Sequence, residues 1–291
     1  MAQQIFNRTI QIDGIDIIYR EAGDPKHPAL LLLHGFPRSS TMFKNLMTAL
    51  GDRYHLVAPD YPGFGFSAFP DKAVFEYTFS NLSAIINAFT DAIGLHRFTI
   101  YLHDYGCPIG LRLSVAHPEK IAGIIVQNGN AYAEGIGPQW DETIDYWKNP
   151  SPAKKKKVYA FLSEEGTRDQ YTSGLPEALW NRVSPELWVL DWERLSRPGN
   201  LAMQYELNCD YQHNFPLFPV FQAYFREQQP PALVIWGKHD PYFSVAEAHC
   251  YQRDLPAAQV HLIEGSHMVL ETNFEEVLRL VEGFLGRRKK D

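Results

Sequence analysis

With 291 residues, 45% of them hydrophobic, the chain can bury a large core and fits one domain with an insertion or two small ones. A net charge of −7 and an isoelectric point near 5.9 provide no basic field, so neither nucleic acid nor a membrane surface is expected as a partner. The 18 Phe, 15 Tyr and 6 Trp exceed what a minimal core requires and are compatible with an apolar pocket.

In chain order, Phe6 to Ile12 and Ile15 to Glu21 read as strands joined at Asp13-Gly14, a two-residue hairpin signal. The pattern then changes to alternation. Apolar strand candidates at Ala29 to Leu33, His55 to Ala58, Phe98 to Leu102, Ile121 to Val126, Ala232 to Trp236 and Gln259 to Ile263 are separated mostly by helical patterns. This predicts an α/β fold with a mostly parallel sheet and helices on both faces. The spacing breaks once, between Val126 and Ala232, over a stretch rich in Trp and Tyr and punctuated by proline. A helical cap over the carboxyl edge of the sheet accounts for both features. The expected organisation is a core at 1–128, a cap at 129–216 and the rest of the core at 217–291.

Cys107, Cys209 and Cys250 cannot all pair, and their spacing fits neither a disulfide framework nor a zinc site. Reduced thiols, no metal and a cytoplasmic location are the expectation. Met1 to Thr9 lack a positive region followed by an apolar core, and no apolar run approaches the roughly 20 residues that span a bilayer. The basic runs Lys154 to Lys157 and Arg287 to Lys290 read as solvated faces.

The stretch Ile100-Tyr101-Leu102-His103-Asp104-Tyr105-Gly106-Cys107-Pro108 passes from strand to helix within about four residues. Such a turn holds one side chain at its apex over the sheet's end and needs a small residue where backbones crowd. Asp104 would be the apex and Gly106 the small residue. The first helical N–H, that of Tyr105, lacks an intrahelical partner and would point at charge developing beside Asp104. The alternative is an aspartate serving only as N-cap.

Three other strand ends carry polar residues: His34-Gly35-Phe36-Pro37, Gly237-Lys238-His239-Asp240-Pro241 and Glu264-Gly265-Ser266-His267-Met268. In a parallel sheet these ends share one edge, so the residues can converge. Taken singly, Asp240 before Pro241 could start a turn, His267 could be a satisfied histidine and His34-Gly35 a tight loop. Four correctly ordered strand ends favour the functional reading.

On His34-Gly35-Phe36-Pro37, Asp60-Tyr61-Pro62-Gly63-Phe64-Gly65-Phe66-Ser67, His103-Asp104-Tyr105-Gly106, Trp236-Gly237-Lys238-His239-Asp240 and Gly265-Ser266-His267, the chain resembles the α/β-hydrolase superfamily. The likeness is to its aspartate-nucleophile branch of epoxide hydrolases, haloalkane dehalogenases and fluoroacetate dehalogenases, and it covers the chain outside the cap. The resemblance implies that Asp104 is the nucleophile, His267 the base that activates water and Asp240 the carboxylate that orients His267. The oxyanion hole would be the N–H groups of Phe36 and Tyr105, with no metal or organic cofactor. Carboxylate attack on an sp³ carbon gives an alkyl-enzyme ester, which activated water then hydrolyses. Asp104 must stay ionised, which the helix N-terminus favours.

Departures bear on the substrate. Epoxide hydrolases usually have Gly two residues before the nucleophile; Leu102 here is closer to haloalkane dehalogenases. Those enzymes clamp halide with a tryptophan after the nucleophile and an asparagine or second tryptophan elsewhere, where this chain has Tyr105 and Phe36. Fluoroacetate dehalogenases carry arginine where Tyr105 stands, so that reading ranks third. An epoxide hydrolase also needs cap donors, normally two tyrosines, and Tyr132, Tyr146, Tyr171, Tyr205 and Tyr211 lie in the insertion. Tyr146 and Tyr211 are singled out, with Trp147 and His34 as further leaving-group candidates and the indoles of Trp140, Trp180, Trp188 and Trp192 as equal halide donors. The expected substrate is a small apolar electrophile, with an epoxide favoured over a halide. Rival readings are a non-catalytic ligand-binding relative and, more weakly, a serine esterase. The oligomeric state is left open.

Overall fold

The computed structural model describes residues 4–287. The basic run from 288 onward, and the first three residues of the amino-terminal stretch, lie outside the described residues. Eight strands form one sheet: β1 (Ile5–Ile12), β2 (Ile15–Ala22), β3 (Ala29–Leu33), β4 (His55–Pro59), β5 (Phe98–His103), β6 (Ile121–Gln127), β7 (Ala232–Gly237) and β8 (Gln259–Ile263). Their spatial order is β1-β2-β4-β3-β5-β6-β7-β8. The β1/β2 and β2/β4 pairs are antiparallel and every other pair is parallel. Asp13 and Gly14 both have positive φ, 49° and 80°, as a two-residue turn matched to strand twist requires.

The helices are α1 (Lys44–Leu50), α2 (Phe79–Ala92), α3 (Gly106–Ala116), α4 (Asp141–Lys148), α5 (Pro152–Val158), α6 (Glu164–Thr172), α7 (Pro185–Leu195), α8 (Asn200–Asp210), α9 (Phe218–Gln228), α10 (Ala246–Asp254), α11 (Val269–Thr272) and α12 (Phe274–Arg287). Successive strand residues point to opposite faces, so the central strands feed two apolar layers. Leu31, Leu33, Ile100, Leu102, Val234 and Trp236 pack with α2, α3, α9 and α10. Leu30, Leu32, Tyr101, Ile125, Leu233 and Ile235 pack with α1, α11 and α12. Burial on both faces explains why these strands read as continuous apolar runs rather than as alternation.

Strands β5 and β6 run one residue beyond their apolar stretch, because backbone pairing continues into the polar residue that follows; His103 of β5 pairs with Gln127 of β6. Between β6 and β7 the chain passes through α4 to α9 and no strand. Helix α9 packs on α3 and α10, while Tyr171, Leu175, Leu179, Val183 and Met268 form a separate small apolar cluster. The lysine run on α5 is a paired face: Lys154 and Lys157 meet Asp145 and Glu142 of α4, and Lys155 lies over the Tyr205 ring. No helix among the described residues is long and apolar enough to cross a membrane.

Candidate active site

Asp104 follows the last residue of β5 with φ of 48°, a left-handed conformation that costs a non-glycine residue free energy and persists only where the surrounding structure holds it. The turn is tight enough that a Cβ on Gly106 would meet the Leu33 carbonyl, and one on Gly35 would meet the Asp104 side chain. Leu102, the departure at this turn, is accommodated on the helix side: Gly110 of α3 leaves open the space that the Leu102 methyl group occupies. The bulky strand residue therefore leaves the turn intact.

The carboxylate is 7% exposed, and its Oδ1 accepts the Phe36 N–H at 2.5 Å. Burial raises the Asp104 pKa to about 6, opposed by nearby His267 and by hydrogen bonds from the Phe36 and Tyr105 amides. The helix N-terminus acts in the anticipated direction, but desolvation outweighs it. With a pKa near 6 Asp104 is half ionised at that pH and mostly ionised at neutral pH, so desolvation narrows the margin by which the expected carboxylate is kept.

His267, on the loop after β8, donates its Nδ1–H to Asp240 Oδ2 at 2.8 Å, while its Nε2 has no partner. Burial works against protonating the imidazole, but the charge and hydrogen bond of Asp240 and the charge of Asp104 more than offset it, so its pKa is raised. Phe243 stacks on the ring at 5.4 Å, and Tyr242 meets it edge-on at the same distance. Asp240, after β7, is itself held: its Oδ1 accepts the Tyr242 and Phe243 N–H groups at 2.7 and 3.2 Å. Its Oδ2 also accepts Asn128 Nδ2–H at 2.7 Å.

Asn128 is a residue that the sequence reading missed. It stands at the end of β6 with positive φ, and its Oδ1 accepts the Gly237 N–H at 3.0 Å, tying two strand ends together around Asp240. The signal that found the other four positions, a polar residue at a strand's carboxyl end, was present in Gln127-Asn128 as well.

A cavity of about 330 Å³ opens over Asp104. Phe36, Tyr105, Pro241, Tyr242 and Phe243 line it from the sheet's edge, and Gln139, Trp140, Thr143, Val158, Phe161, Gln170 and Asn208 line it from the helical segment. The structure thus brings together Asp104, His267, Asp240 and the two amides, but it does not place the other candidates on this wall. His34 turns away: its Nδ1 lies 3.0 Å from the Gly35 carbonyl, its ring stacks on Tyr61, and burial lowers its pKa to about 4, which keeps it neutral. The Tyr146 hydroxyl pairs with that of Tyr205, Trp147 donates to Tyr159, and Tyr211 accepts from Asn130. Tyr132 and Tyr171 are likewise engaged, with Asp254 and with Arg38 and Asp191. Trp140 does reach the wall, yet its indole N–H is given to the Tyr242 carbonyl at 2.9 Å. None of Tyr146, Tyr211, Trp147 and His34, the leaving-group candidates of the sequence, is among the residues that line this cavity.

Three hydroxyl-bearing residues line the cavity, Thr143, Tyr242 and Tyr105, and of these Tyr105 directly follows Asp104 in the chain. The Tyr105 oxygen accepts Asn208 Nδ2–H at 3.3 Å, which leaves its own proton free to donate. Burial, followed by the charge of Asp104, raises its pKa, so it stays protonated.

An eight-stranded, mostly parallel sheet with a strained acidic turn after β5 and a histidine after β8 defines a hydrolase of the α/β class. The alpha/beta hydrolase fold family model matches residues 28–274, and the chain belongs to that family. It is 39% identical over 265 residues to the uncharacterized hydrolase YNR064C of Saccharomyces cerevisiae, covering 90% of each chain. Among solved structures, it resembles epoxide hydrolase VrEH1 from Vigna radiata with a TM-score of 0.74 and 23% identity, over 97% of this chain and 98% of that one. It also resembles haloalkane dehalogenase DbeA from Bradyrhizobium elkani USDA94, with a TM-score of 0.79 and 21% identity over 99% of each chain. At such identities the likeness to the two solved structures speaks for the fold.

Proposed function

We propose that the protein hydrolyses a small electrophile through an ester on Asp104, with residues 129–216 as its cap, and that the electrophile is an epoxide. The observation that carries this reading is the Asp104 carboxylate at a strained turn, with one oxygen bound by the Phe36 amide, beside an imidazole whose Nε2 is unpartnered.

In the first step Oδ2 of Asp104 forms a bond to an sp³ carbon as the carbon–oxygen bond of the epoxide breaks, and the Tyr105 hydroxyl hydrogen-bonds the developing alkoxide. The alkoxide takes a proton from solvent. In the second step His267 Nε2 removes a proton from water, which attacks the ester carbonyl. The Oδ1 oxygen then carries the negative charge and meets the Phe36 and Tyr105 amides. Collapse breaks the bond from the carbonyl carbon to the alkyl oxygen, which takes the proton of the His267 imidazolium and leaves as the diol, and the carboxylic acid on Asp104 loses its proton to solvent to restore the carboxylate. Asp240 keeps the Nδ1–H tautomer and stabilises the imidazolium. Esterification also removes the Asp104 charge, one of the causes that raise the His267 pKa, so the ester itself makes His267 more available as a neutral base.

Two observations favour oxygen over halide. Phe36 offers no side-chain donor, and the indole of Trp140 is already committed to a carbonyl. A haloalkane dehalogenase remains the second reading because Tyr105 could hydrogen-bond a halide as well as an alkoxide.

The test is mass spectrometry of His267→Gln after exposure to panels of epoxides and alkyl bromides, with diol and halide release measured on the unsubstituted enzyme. An ester on Asp104 together with diol formation is the expected result. Bromide release with no diol from any epoxide would move the substrate to haloalkanes, and no adduct from any electrophile would defeat the reading.

A further inference from the structure

Two buried carboxamides line the cavity from the helical segment, Gln170 of α6 and Asn208 of α8, 7% and 8% exposed. The Gln170 side chain makes no hydrogen bond among the described residues. Asn208 gives its Nδ2–H to Tyr105, but its Oδ1 has no partner. Buried amides are almost always paired, because an unpaired one forfeits the hydration it has in the unfolded chain. Gln139, exposed at the edge of the same wall, donates to the Tyr242 carbonyl at 3.0 Å. Asn208 Oδ1 breaks the pairing rule on the wall of the cavity that holds Asp104, and the Gln170 amide, without a protein partner among the described residues, lies on the same wall.

We propose that Gln170 and Asn208 form a neutral recognition point for a second polar group of the substrate, a hydroxyl, carbonyl or carboxamide set apart from the electrophilic carbon. The inference rests on the Asp104 ester reading and replaces the plain apolar electrophile with a polar-functionalised one. An amide offers both a donor and an acceptor, so it matches a neutral group of either kind. A plain hydrocarbon chain leaves both amides unpaired, and a site built to hydrogen-bond a substrate discriminates strongly against an analogue that lacks the group. A carboxylate fares no better, since the lining residues include Asp104 but no Lys or Arg to balance it. Gln170 is a specificity-determining residue on this view, and it takes no part in bond making.

The experiment compares matched electrophiles of equal heavy-atom count: an epoxyalkane with an epoxy-alcohol and an epoxy-carboxamide, and a bromoalkane with a bromo-carboxamide. The expected kcat/KM of the unsubstituted enzyme is at least about tenfold higher for a polar member of a pair, the worth of one or two hydrogen bonds. In Gln170→Leu that ratio falls toward one. A preference of the unsubstituted enzyme for the plain member overturns the proposal without any variant, as does an unchanged ratio in Gln170→Leu. His267→Gln separates the two levels of the argument. Ester formation on Asp104 with both members of a pair, but no polar preference, sinks the recognition point and leaves the ester reading standing. No ester with any compound removes both.

Discussion

Asp104 concentrates the molecule's main conflict in one side chain. Its carboxylate is buried and strained, and the two amides, together with His267, recover only part of what desolvation takes away. The native pKa near 6 lies above the roughly 3.9 of an unfolded aspartate, so the folded state binds this proton more tightly than the unfolded one does. The resulting destabilisation is absent below about pH 4, grows as pH rises through 6 and is complete above it, where it amounts to about 3 kcal/mol. Asp104→Asn should therefore stabilise the protein by up to that amount at pH 8 and by almost nothing at pH 4, as urea unfolding at the two pH values will show. The same substitution should lower turnover by at least about a thousandfold, and turnover of the unsubstituted enzyme should decline below about pH 6. A variant no more stable at pH 8 than the parent would mean that the charge is better solvated than its burial implies. The opposed effects are the ordinary exchange of stability for function at an active site.

At the scale of elements, the fit between β5 and α3 decides whether the acidic turn can form. Leu102 is large for a position beside so sharp a bend, and Gly110 on the facing helix provides the missing volume. Gly110→Ala isolates this fit. Helix propensity alone favours alanine by about 1 kcal/mol, whereas inserting a methyl group against Leu102 and Ile100 in a packed layer costs about 1–3 kcal/mol. Overpacking should win. The expected net loss is measurable by urea unfolding, and adding Leu102→Val should recover at least half of it through the coupling of touching residues. A net gain from Gly110→Ala would show that α3 shifts freely. The motif around Asp104 was legible in the sequence as a pattern of types, but this complementarity was not, because nothing in a one-dimensional string pairs position 102 with position 110.

At the scale of the whole molecule, Arg38 joins parts that are far apart in the chain. It sits just after Phe36-Pro37, buried to 1% exposure, and donates to Glu271 at 2.6 Å and to the Tyr171 hydroxyl, with Asp191 3.9 Å away. The loop after β3, whose Phe36 amide binds Asp104, helices α6 and α7, and the segment after His267 thus meet on one guanidinium. Arg38→Met leaves Asp191 and Glu271 without their cation. Breaking a buried pair from one side costs about 3–5 kcal/mol, most of it the uncompensated charge left behind. The urea midpoint should fall by a corresponding amount, and limited proteolysis should begin between β6 and β7. A midpoint within about 0.5 kcal/mol of the parent, typical of a surface substitution, would rule out this bridging role.

The sequence by itself determined the eight strands, the hairpin, the helical interval after β6 and the acidic turn, since each rests on periodicity or turn chemistry carried by neighbouring residues. It also brought forward Asp104, His267 and Asp240, because a parallel sheet places all its carboxyl ends on one edge whatever lies between them in the chain. Only the tertiary structure decided which side chains face the cavity. The sequence singled out Tyr146 and Tyr211 among the tyrosines of the helical interval, yet folding sets the Tyr146 hydroxyl against that of Tyr205 and has the Tyr211 oxygen accept from Asn130, while Tyr105 and the unpaired Asn208 Oδ1 lie on the cavity wall. The reason is physical. Main-chain geometry follows from local pattern, whereas the partner of a polar side chain depends on which distant groups folding brings within hydrogen-bond reach.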